Sequence, residues 1–317
     1  MSRPTQLRRE ATGTQLPAPT VSPESVTDGF RELVNQERRR PVVWVFNQVD
    51  KRFPRITQSA SRYLIRFNYL LVNRSMRKLP RVCVNYGWAT LEGDGIAPDS
   101  ALPPTDREGL DRLSLQHYEQ TCAGHVAGKD VLEVGCGRGG GAELTKRVLG
   151  ARSVTAVDLT ASSIKWCKRR WANSGVRFQV GNAQDLPLGD SCFDVVLNVE
   201  SSHTYPDCQQ FLDEAFRVLR PQGLLLLADL RIGYKMPILR NQILAAGFVI
   251  EEDHDITEHV TRSLEIDSPA RRQWVDTSMP RPLRQASYEF AGVAGTGLFA
   301  GFESHEWEYH RFVARKP

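Results

Sequence analysis

From about residue 110 onward, short apolar runs alternate with helix-length amphipathic stretches. The apolar runs predict five strands, at Asp130–Val134, Ser153–Val157, Val176–Val180, Phe193–Leu197 and Gly223–Ala228. Apolar residues at helical spacing lie between them, near 141–149, 160–173 and 208–220. Strands that alternate with helices are joined by crossover connections. The pattern therefore predicts an α/β fold with a doubly wound, Rossmann-like parallel sheet.

Two further strands are expected in the C-terminal part of the chain. A helical stretch at 236–246 leads into Gly247–Glu252, and Glu306–Ala314 alternates its side chains in the manner of a strand. The second of these is predicted to be less buried and antiparallel, and it completes a seven-stranded sheet. The insertion between them, at about 260–305, mixes aromatic side chains with glycines. It suits a cap over an apolar ligand, with an extra packing layer as the alternative.

The N-terminal 82 residues follow a different pattern. Residues 1–25 contain four prolines and are expected to be a disordered tail. Residues 26–82 are predicted to be a basic, partly helical extension, and the catalytic part of the chain is expected at 83–317. Within the extension, apolar residues at 55–79 form one helical stripe, with arginines at other positions. This helix is interpreted as a lid or a peripheral membrane contact, or as a helix packed on the main domain.

Charge and composition narrow the class of protein. The first 82 residues hold 16 Lys and Arg against 6 Asp and Glu, whereas the remainder holds 25 against 31. Because the basic charge is confined to the extension, no nucleic-acid partner is expected. No apolar run approaches the roughly 18 residues of a membrane span. Six cysteines without a CxxC pair indicate reduced thiols, so we expect a cytoplasmic protein, with peripheral membrane association as an alternative.

The segment Val131–Gly141 carries the strongest functional signal. A buried strand runs into the glycine-rich turn Gly135-Cys136-Gly137-Arg138-Gly139, where a ligand can approach bare backbone. Asp158 lies 18 residues beyond Gly140, at the position of a carboxylate that binds a ribose diol. A nicotinamide dinucleotide would satisfy the same pattern. Glu133, two residues before the first glycine, favours a ligand with a cationic amino acid group instead.

Together with motifs further along, this segment resembles the class I S-adenosylmethionine-dependent methyltransferases over about residues 110–260. Leu132–Gly139 resembles their first motif, Val157-Asp158-Leu159 the ribose-binding motif and Gly181–Pro187 the adenine-side motif. Many relatives carry Asp where Asn182 stands, and an Asn carbonyl can accept the same hydrogen bond. The resemblance implies S-adenosyl-L-methionine as the cofactor. The implied cofactor-binding residues are Glu133, Gly135, Cys136, Gly137, Asp158, Leu159, Asn182, Ala183, Gln184 and Asn198.

A closer resemblance covers residues 82–317. The segments that carry it are Asn85–Ala89, Leu197–Pro206, Ala228–Arg231 and Phe290–Thr296. They are similar to the mycobacterial phthiotriol/phenolphthiotriol dimycocerosate methyltransferases, which methylate a hydroxyl group of a long lipid-polyketide. The resemblance implies an O-methyltransferase that acts on a polyketide-like or lipid-like natural product, and therefore a small, apolar acceptor as the partner.

Two residues are candidates for the catalytic chemistry. A hydroxyl nucleophile benefits from a base that removes its proton, and His203 follows the fourth predicted strand by six residues. Asp229 ends the fifth strand, so the two side chains are expected at adjacent strand ends, within hydrogen-bond reach. Glu200–Asp207 also resembles the rebeccamycin-type sugar O-methyltransferases, in which a His and an Asp in these motifs form the catalytic pair. Tyr86, Trp88 and Glu200 are the candidate substrate contacts, with packing as the alternative.

Other readings stay open from sequence. The cofactor motifs do not separate O-methylation from C- or N-methylation, although the His203–Asp229 pair favours oxygen. A nucleic-acid methyltransferase is disfavoured because Asn198 is followed by Val199-Glu200-Ser201 rather than by the PP[YF] of many nucleobase methyltransferases. No metal is expected, since the spacing of His254 and His259 matches no familiar tight site. The oligomeric state is left open, with a homodimer among the alternatives.

Overall fold

The computed structural model describes residues 81–92 and 111–317. The tail predicted at 1–25 and the amphipathic helix predicted at 55–79 lie outside the described residues, as does the basic extension at 26–82 except for its last two residues. These expectations stay predictions. The remaining expectations about the fold can be compared with the structure directly.

The described part of the chain is built around a seven-stranded sheet. Its strands are β1 (Asp130–Val134), β2 (Ser153–Asp158), β3 (Val176–Val180), β4 (Phe193–Val199), β5 (Leu219–Ile232), β6 (Val249–Asp255) and β7 (Trp307–Arg315). The strand order is β3-β2-β1-β4-β5-β7-β6. Strands β1 to β5 pair in parallel, and β7 is antiparallel to both of its neighbours. The predicted doubly wound α/β fold is confirmed.

The order of the strands creates a binding crevice. Strand β1 has β2 on one side and β4 on the other, so the chain winds away from β1 in opposite directions. The loops that follow β1 and β4 therefore leave the carboxyl edge of the sheet on opposite sides. Open α/β sheets bind their ligands at such a switch point.

Helices cover both faces of the sheet. They are α1 (Arg112–Cys122), α2 (Gly140–Arg147), α3 (Ala161–Arg170), α4 (Cys208–Val218), α5 (Met236–Ala245), α6 (Thr257–Ser278), α7 (Arg284–Phe290) and α8 (Gly297–Glu303). The last three span most of the region predicted as a cap insertion. Within the described ranges, no helix combines the length and the apolarity that crossing a membrane requires.

Strand residues alternate between two apolar layers. Val131 belongs to the cluster that includes Leu144 of α2, whereas its neighbour Leu132 belongs to the cluster that includes Phe211 of α4. Because both faces of the sheet are covered, consecutive residues are all buried, and a parallel strand becomes a continuous apolar run. The same alternation turns Glu133 toward the first layer, beside Tyr118 of α1.

The position of β7 corrects one expectation. Sequence patterning predicts a less buried last strand, but β7 lies inside the sheet, between β5 and β6, and six of its nine residues are buried. The polar side chains of β7 suggest an exposed strand in the sequence, but in the structure His310 and Arg311 are buried and paired with residues of β6. Nδ1 of His310 lies 2.6 Å from Oδ1 of Asp253, and Nη1 of Arg311 lies 2.6 Å from Oε2 of Glu252. The predicted antiparallel direction is confirmed.

Candidate active site

The glycine-rich loop leaves β1 and enters α2 at the carboxyl edge of the sheet. The backbone N–H groups of Gly135 and Cys136 both donate to the Val157 carbonyl, at 2.8 and 3.0 Å, which fixes the loop against β2. Gly137 adopts a φ of +52°, and a Cβ atom there would meet nothing within 4 Å. The loop therefore presents bare backbone to open space, where a ligand can approach closely.

Glu133 is a buried carboxyl group beneath this loop. The Tyr118 hydroxyl donates to its Oε1 at 2.8 Å, whereas Oε2 has no hydrogen-bond partner among residues 81–92 and 111–317. Burial raises the pKa of Glu133 to about 8, although the Tyr118 hydroxyl opposes the shift. A buried carboxyl group that lacks a counter-charge is a good partner for a cationic ligand.

Asp158 lies at the end of β2, as the sequence predicts. Its Oδ2 accepts from the Gly137 N–H at 3.0 Å and its Oδ1 from the Thr160 N–H at 2.8 Å. Burial raises the pKa of this carboxyl group. Each oxygen retains a second lone pair, so the carboxylate supports the loop and can still accept from a ligand.

The residues predicted on the adenine side follow β2 and β3. Leu159 is half exposed and Ala183 is buried. The Asn182 side-chain oxygen accepts from the Gln184 N–H at 3.1 Å, and Nε2 of Gln184 donates to Gln210 at 3.1 Å. These residues lie at the same edge of the sheet as the loop, but outside the lining of the cleft described below.

Asn198 occupies an internal position. It is fully buried, and its Nδ2 donates to the Val134 carbonyl and the Ser201 hydroxyl at 3.0 and 2.8 Å. This side chain connects the ends of β1 and β4. The structure thus gives Asn198 a role in shaping the site and places it away from the cleft lining.

His203 and Asp229 are in direct contact. Nδ1 of His203 lies 2.7 Å from Oδ1 of Asp229. His203 follows β4, whereas Asp229 lies within the neighbouring strand β5, which continues to Ile232 instead of ending at Asp229 as the sequence predicts, because it goes on pairing with β7. Asp229 is completely buried, whereas the His203 side chain is 31% exposed and lines the cleft. With Nδ1 occupied by the carboxylate, the second ring nitrogen, Nε2, is left for a ligand.

Asp229 is held in its ionised form. Burial alone would raise its pKa, but the charges of His203 and Arg231 and the hydrogen bonds from His203 and Ser202 outweigh burial and hold the pKa well below its usual range. The Ser202 hydroxyl donates to Oδ2 at 2.5 Å and the His203 backbone N–H at 2.9 Å. The carboxylate is therefore a fixed, charged partner for the imidazole.

Glu200 is a carboxyl group that lines the cleft. Its backbone has a φ of +50°, an unusual conformation for a residue with a side chain. Its Oε2 accepts from the Tyr86 backbone N–H at 2.7 Å and from the Tyr309 hydroxyl at 3.3 Å. Burial raises the pKa of Glu200 to about 8, and the nearby Asp229 charge adds to the shift. This carboxyl group is neutral at pH 7.

Residues 81–92, which we name the strap, border the cleft, and residues 81–86 line it. Tyr86 lines the cleft, and its hydroxyl donates to the Phe290 carbonyl at 3.1 Å. Trp88 corrects an expectation. It is only 3% exposed and stacks on His259 with ring centroids 4.4 Å apart, so it belongs to the core and not to the cleft lining. An indole ring is large and apolar enough to be buried there, which the sequence alone does not reveal.

An ion-pair network that sequence patterning does not reveal attaches the strap to α6. Arg81 donates to both carboxylate oxygens of Asp267, at 3.0 to 3.1 Å, and Nε of Arg271 donates to Oδ2 of the same residue at 2.8 Å. Arg271 also donates to the carbonyls of Asn85 and Ala291. The sequence shows only that Asp267 and Arg271 are four residues apart, which is a helical spacing. Arg81, the partner on the strap, is 186 residues away from Asp267.

The cleft brings most of the predicted loop, base and acceptor residues together. Gly135, Cys136 and Gly137 line it on one side. Tyr86, Glu200 and His203 line the other side, joined by the apolar residues Val84, Trp274 and Phe290. Trp274 and Phe290 belong to the aromatic side chains of the predicted cap insertion, whereas the sequence did not single out Val84. The glycine loop and the His203 ring thus line the same cleft.

Comparisons with known proteins agree on one family. Residues 132–227 match the family model described as "Methyltransferase domain". The chain is 37% identical over 251 residues to the phthiotriol/phenolphthiotriol dimycocerosates methyltransferase of Mycobacterium tuberculosis, which covers 79% of this chain and 91% of the relative. It is also 37% identical over 282 residues to the fatty-acid O-methyltransferase of Mycolicibacterium smegmatis, covering 89% of this chain and 96% of the relative.

Solved structures agree on the fold. Geranyl diphosphate C-methyltransferase from Streptomyces coelicolor A3(2), crystallised with S-adenosyl-L-homocysteine, superposes with a TM-score of 0.54. The alignment covers 77% of this chain and 96% of that chain, at 18% sequence identity. Likeness at this level of identity speaks for the fold alone.

Proposed function

The chain belongs to the family of S-adenosylmethionine-dependent methyltransferases that includes the phthiotriol/phenolphthiotriol dimycocerosates methyltransferases, and we propose that it methylates an oxygen atom of a lipid-like small molecule. The proposal is carried by the 2.7 Å contact between His203 and Asp229. A base of this kind is needed when the nucleophile must lose a proton as it attacks.

The residues around the glycine loop fit the cofactor. Oε2 of Glu133, a buried carboxylate oxygen unpartnered within the described residues, would face its cationic amino acid end. The bare backbone of Gly135, Cys136 and Gly137 would hold the methionine part, and Asp158 would accept from the ribose. Leu159, Asn182, Ala183 and Gln184, which follow β2 and β3, would contact the adenine, while Asn198 would keep the ends of β1 and β4 in register.

His203 performs the proton transfer in this proposal. When bound, S-adenosylmethionine supplies a methyl group that is already activated on a sulfonium. Nε2 of His203 accepts the proton of the acceptor hydroxyl as the oxygen attacks, and Asp229 holds the ring orientation and stabilises the imidazolium that forms. The strap and α6 exclude water from the same cleft.

The lining of the cleft supports an apolar acceptor. Val84 and Phe290 are 42% and 44% exposed at the cleft, where they offer apolar surface to a ligand. Tyr86 and Glu200 would orient the polar end of the acceptor, with Glu200 acting as a neutral hydrogen-bonding group. The two relatives named for phthiotriol-type lipids and for fatty acids support a lipid-like acceptor for this chain as well.

Two acceptor types compete with a hydroxyl group. A carbon nucleophile is the acceptor type of the structural neighbour that is a C-methyltransferase, and a carboxylate is the type named for the fatty-acid relative. A carboxylic acid is already ionised at neutral pH and has no proton to lose. The buried, ionised partner of His203 favours a hydroxyl group over a carboxylate, because a hydroxyl group has a proton that the base must remove.

Acceptor assays with variants of the dyad test the proposal. Long-chain alcohols, diols and fatty acids are incubated with the enzyme and S-adenosylmethionine. Release of S-adenosylhomocysteine is measured, and mass spectrometry detects a product one CH2 unit heavier. His203→Ala and Asp229→Asn should lower kcat with a hydroxyl acceptor by about 100-fold or more. Both should leave cofactor affinity unchanged by calorimetry.

The outcomes separate the alternatives. If fatty acids alone are methylated, and His203→Ala methylates them at the wild-type rate, the acceptor is a carboxylate and the hydroxyl proposal fails. If the product carries its new methyl group on carbon, the O-methylation proposal fails. Loss of activity in both dyad variants with a hydroxyl acceptor supports it.

A further inference from the structure

Asp229 has more partners than a simple His–Asp pair requires. Its Oδ1 accepts from His203 Nδ1 at 2.7 Å and from the Leu230 backbone N–H at 2.8 Å. Its Oδ2 accepts from the Ser202 hydroxyl at 2.5 Å and from the His203 backbone N–H at 2.9 Å. Nη1 of Arg231 approaches the same Oδ2 at 3.3 Å. Oδ1 therefore accepts from the imidazole ring, whereas Oδ2 accepts from a separate group of donors.

Ser202 and Arg231 act together on that second oxygen. The Ser202 hydroxyl has one proton, which it donates to Asp229, and its oxygen accepts from Nη2 of Arg231 at 2.8 Å. Nη1 of Arg231 also donates to the Leu230 carbonyl at 2.7 Å. The side chain is 12% exposed, so the planar guanidinium is fixed in one orientation. Asp229 and Arg231 are two residues apart on β5, on the same face of the strand.

The other titratable groups that act on Asp229 are neutral near pH 7. Burial is the largest cause for each of them. It lowers the pKa of His117 to about 4 and raises the pKa of Glu200 to about 8. It raises the pKa of both Cys208 and Tyr309 above their ordinary values. These groups come from four elements or their ends, α1, β4, α4 and β7. Within the described ranges, the charge of Asp229 is therefore balanced by Arg231 when the His203 ring is neutral.

We propose that Arg231, acting through Ser202, is the positioning residue of the catalytic base: it keeps Oδ1 of Asp229 directed at His203, and its positive charge opposes protonation of the His203 ring. The inference rests on the proposed function, in which His203 is the base. Without the guanidinium, the Asp229 carboxylate stabilises the imidazolium form of His203 more strongly. The variant base is then protonated, and inactive, at a higher pH.

The pH dependence of kcat/KM tests the inference. Arg231→Gln should move the acid limb of the profile upward by about one pH unit, which lowers activity about tenfold on that limb. Activity should recover toward the wild-type value as the pH rises. Arg231→Lys, which keeps the charge, should restore most of the wild-type profile. Ser202→Ala should produce a smaller shift in the same direction, because it removes the bridge but keeps the guanidinium.

Arg220→Gln is the matched control. Arg220 is the second residue of the same strand, β5, and pairs with Asp194 at 2.6 Å and Asp130 at 3.1 Å, away from the cleft. The substitution Arg220→Gln removes the same charge and also breaks ion pairs. Because these ion pairs lie away from the cleft, the pH profile should stay in place. Thermal unfolding of every variant shows whether the folded fraction has changed. If Arg231→Gln does not fold, the smaller shift expected of Ser202→Ala still tests the inference.

The failure of this inference differs from the failure of the proposed function. A uniform loss of activity in Arg231→Gln, with the acid limb unmoved, would mean a structural role and would overturn the inference. An unchanged profile in Arg231→Gln or in Ser202→Ala, while His203→Ala loses activity, would overturn it too and leave the base intact. Wild-type turnover by His203→Ala with a hydroxyl acceptor would remove the base itself, and the inference with it.

Discussion

At the scale of single residues, burial acts differently on the three carboxyl groups near the cleft. It raises the pKa of Glu133 and Glu200, whereas Asp229 stays ionised because His203 and Arg231 supply positive charge. A neutral acid and an ionised acid a short distance apart can take different tasks. We expect the charged one to support the base and the neutral ones to respond to ligands.

The titration of Glu200 makes a prediction about stability and pH. Its folded-state pKa is raised from 4.5 to about 8, so the folded state binds more protons than the unfolded state inside that window. Folding therefore loses stability as the pH rises from about 4.5 to 8, by up to about 1.4 kcal/mol per pH unit. Glu200→Gln removes this titration. Its melting temperature should rise relative to the wild type over that range, as calorimetry of the ligand-free protein will show.

The same variant has a kinetic consequence. Gln keeps an oxygen that can accept from the Tyr86 N–H but cannot ionise. The alkaline limb of kcat/KM that ionisation of Glu200 produces near pH 8 should flatten in Glu200→Gln. Parallel alkaline limbs in wild type and variant, with parallel melting curves, would show that Glu200 titrates normally.

Glu133 leads to a prediction about proton release. A cationic ligand favours the ionised carboxylate, so at pH 6.5 cofactor binding to the wild type should release up to about one proton. Calorimetry in two buffers of different ionisation enthalpy measures this number. Glu133→Gln should release none and should bind more weakly, whereas His203→Ala should resemble the wild type. Equal proton release by Glu133→Gln would assign the linkage to another group.

At the scale of elements, the strap depends on its attachment to α6. The strap has no strand or helix of its own and forms the cleft wall through side-chain and backbone contacts to other elements. Asp267 pairs with two arginines, Arg81 on the strap and Arg271 on α6; both arginines are buried, and the Asp267 side chain is only 14% exposed. An ion pair of this kind is costly to break from one side.

Asp267→Asn is therefore expected to destabilise the protein strongly. Two buried guanidinium groups lose their counter-charge, which should lower the free energy of unfolding by about 3 kcal/mol. Glu265→Gln, on the same helix, breaks an exposed pair with Arg262 and should cost less than about 1 kcal/mol. Urea unfolding measures both values. Equal costs for the two variants would mean that the network does not hold the strap.

At the scale of the whole molecule, the charge asymmetry divides the chain near the strap. The basic charge lies before residue 83, and the fold described above is built from residues that carry a net negative charge. We propose that residues 26–82 form an extension that contacts the acceptor or an anionic membrane surface. The opposite charge of the catalytic part would then keep the rest of the molecule away from such a surface.

A truncation tests the role of the extension. Deleting residues 1–79 removes most of the basic charge but keeps Arg81, whose guanidinium pairs with Asp267. The truncated protein should bind S-adenosylmethionine with unchanged affinity, show a raised KM for a lipid-like acceptor and lose binding to anionic vesicles. Neutral vesicles are the control. Unchanged acceptor kinetics and unchanged vesicle binding would argue against any role for the extension in acceptor handling.

Much of the fold follows from the sequence because its signals are local. The apolar runs of β1 to β5 indicate burial on both faces of the sheet. The glycines of the loop indicate a turn that only small residues allow. These features identified the doubly wound sheet, the cofactor and the adjacent strands β4 and β5 that position His203 and Asp229, although β5 extends beyond Asp229. Each depends on residues within a few positions of one another.

Tertiary structure decided the features that rest on contacts between distant segments. Strand β7 lies inside the sheet because its polar residues find partners on β6, and Trp88 is core because His259 covers it. The ionised state of Asp229 likewise depends on His203, Ser202 and Arg231, which outweigh the effect of burial, and not on any motif. The sequence by itself determined where the reactive groups sit along the chain. Their charge, orientation and mutual support were decided by packing, because burial and long-range pairing control the energy of a charge.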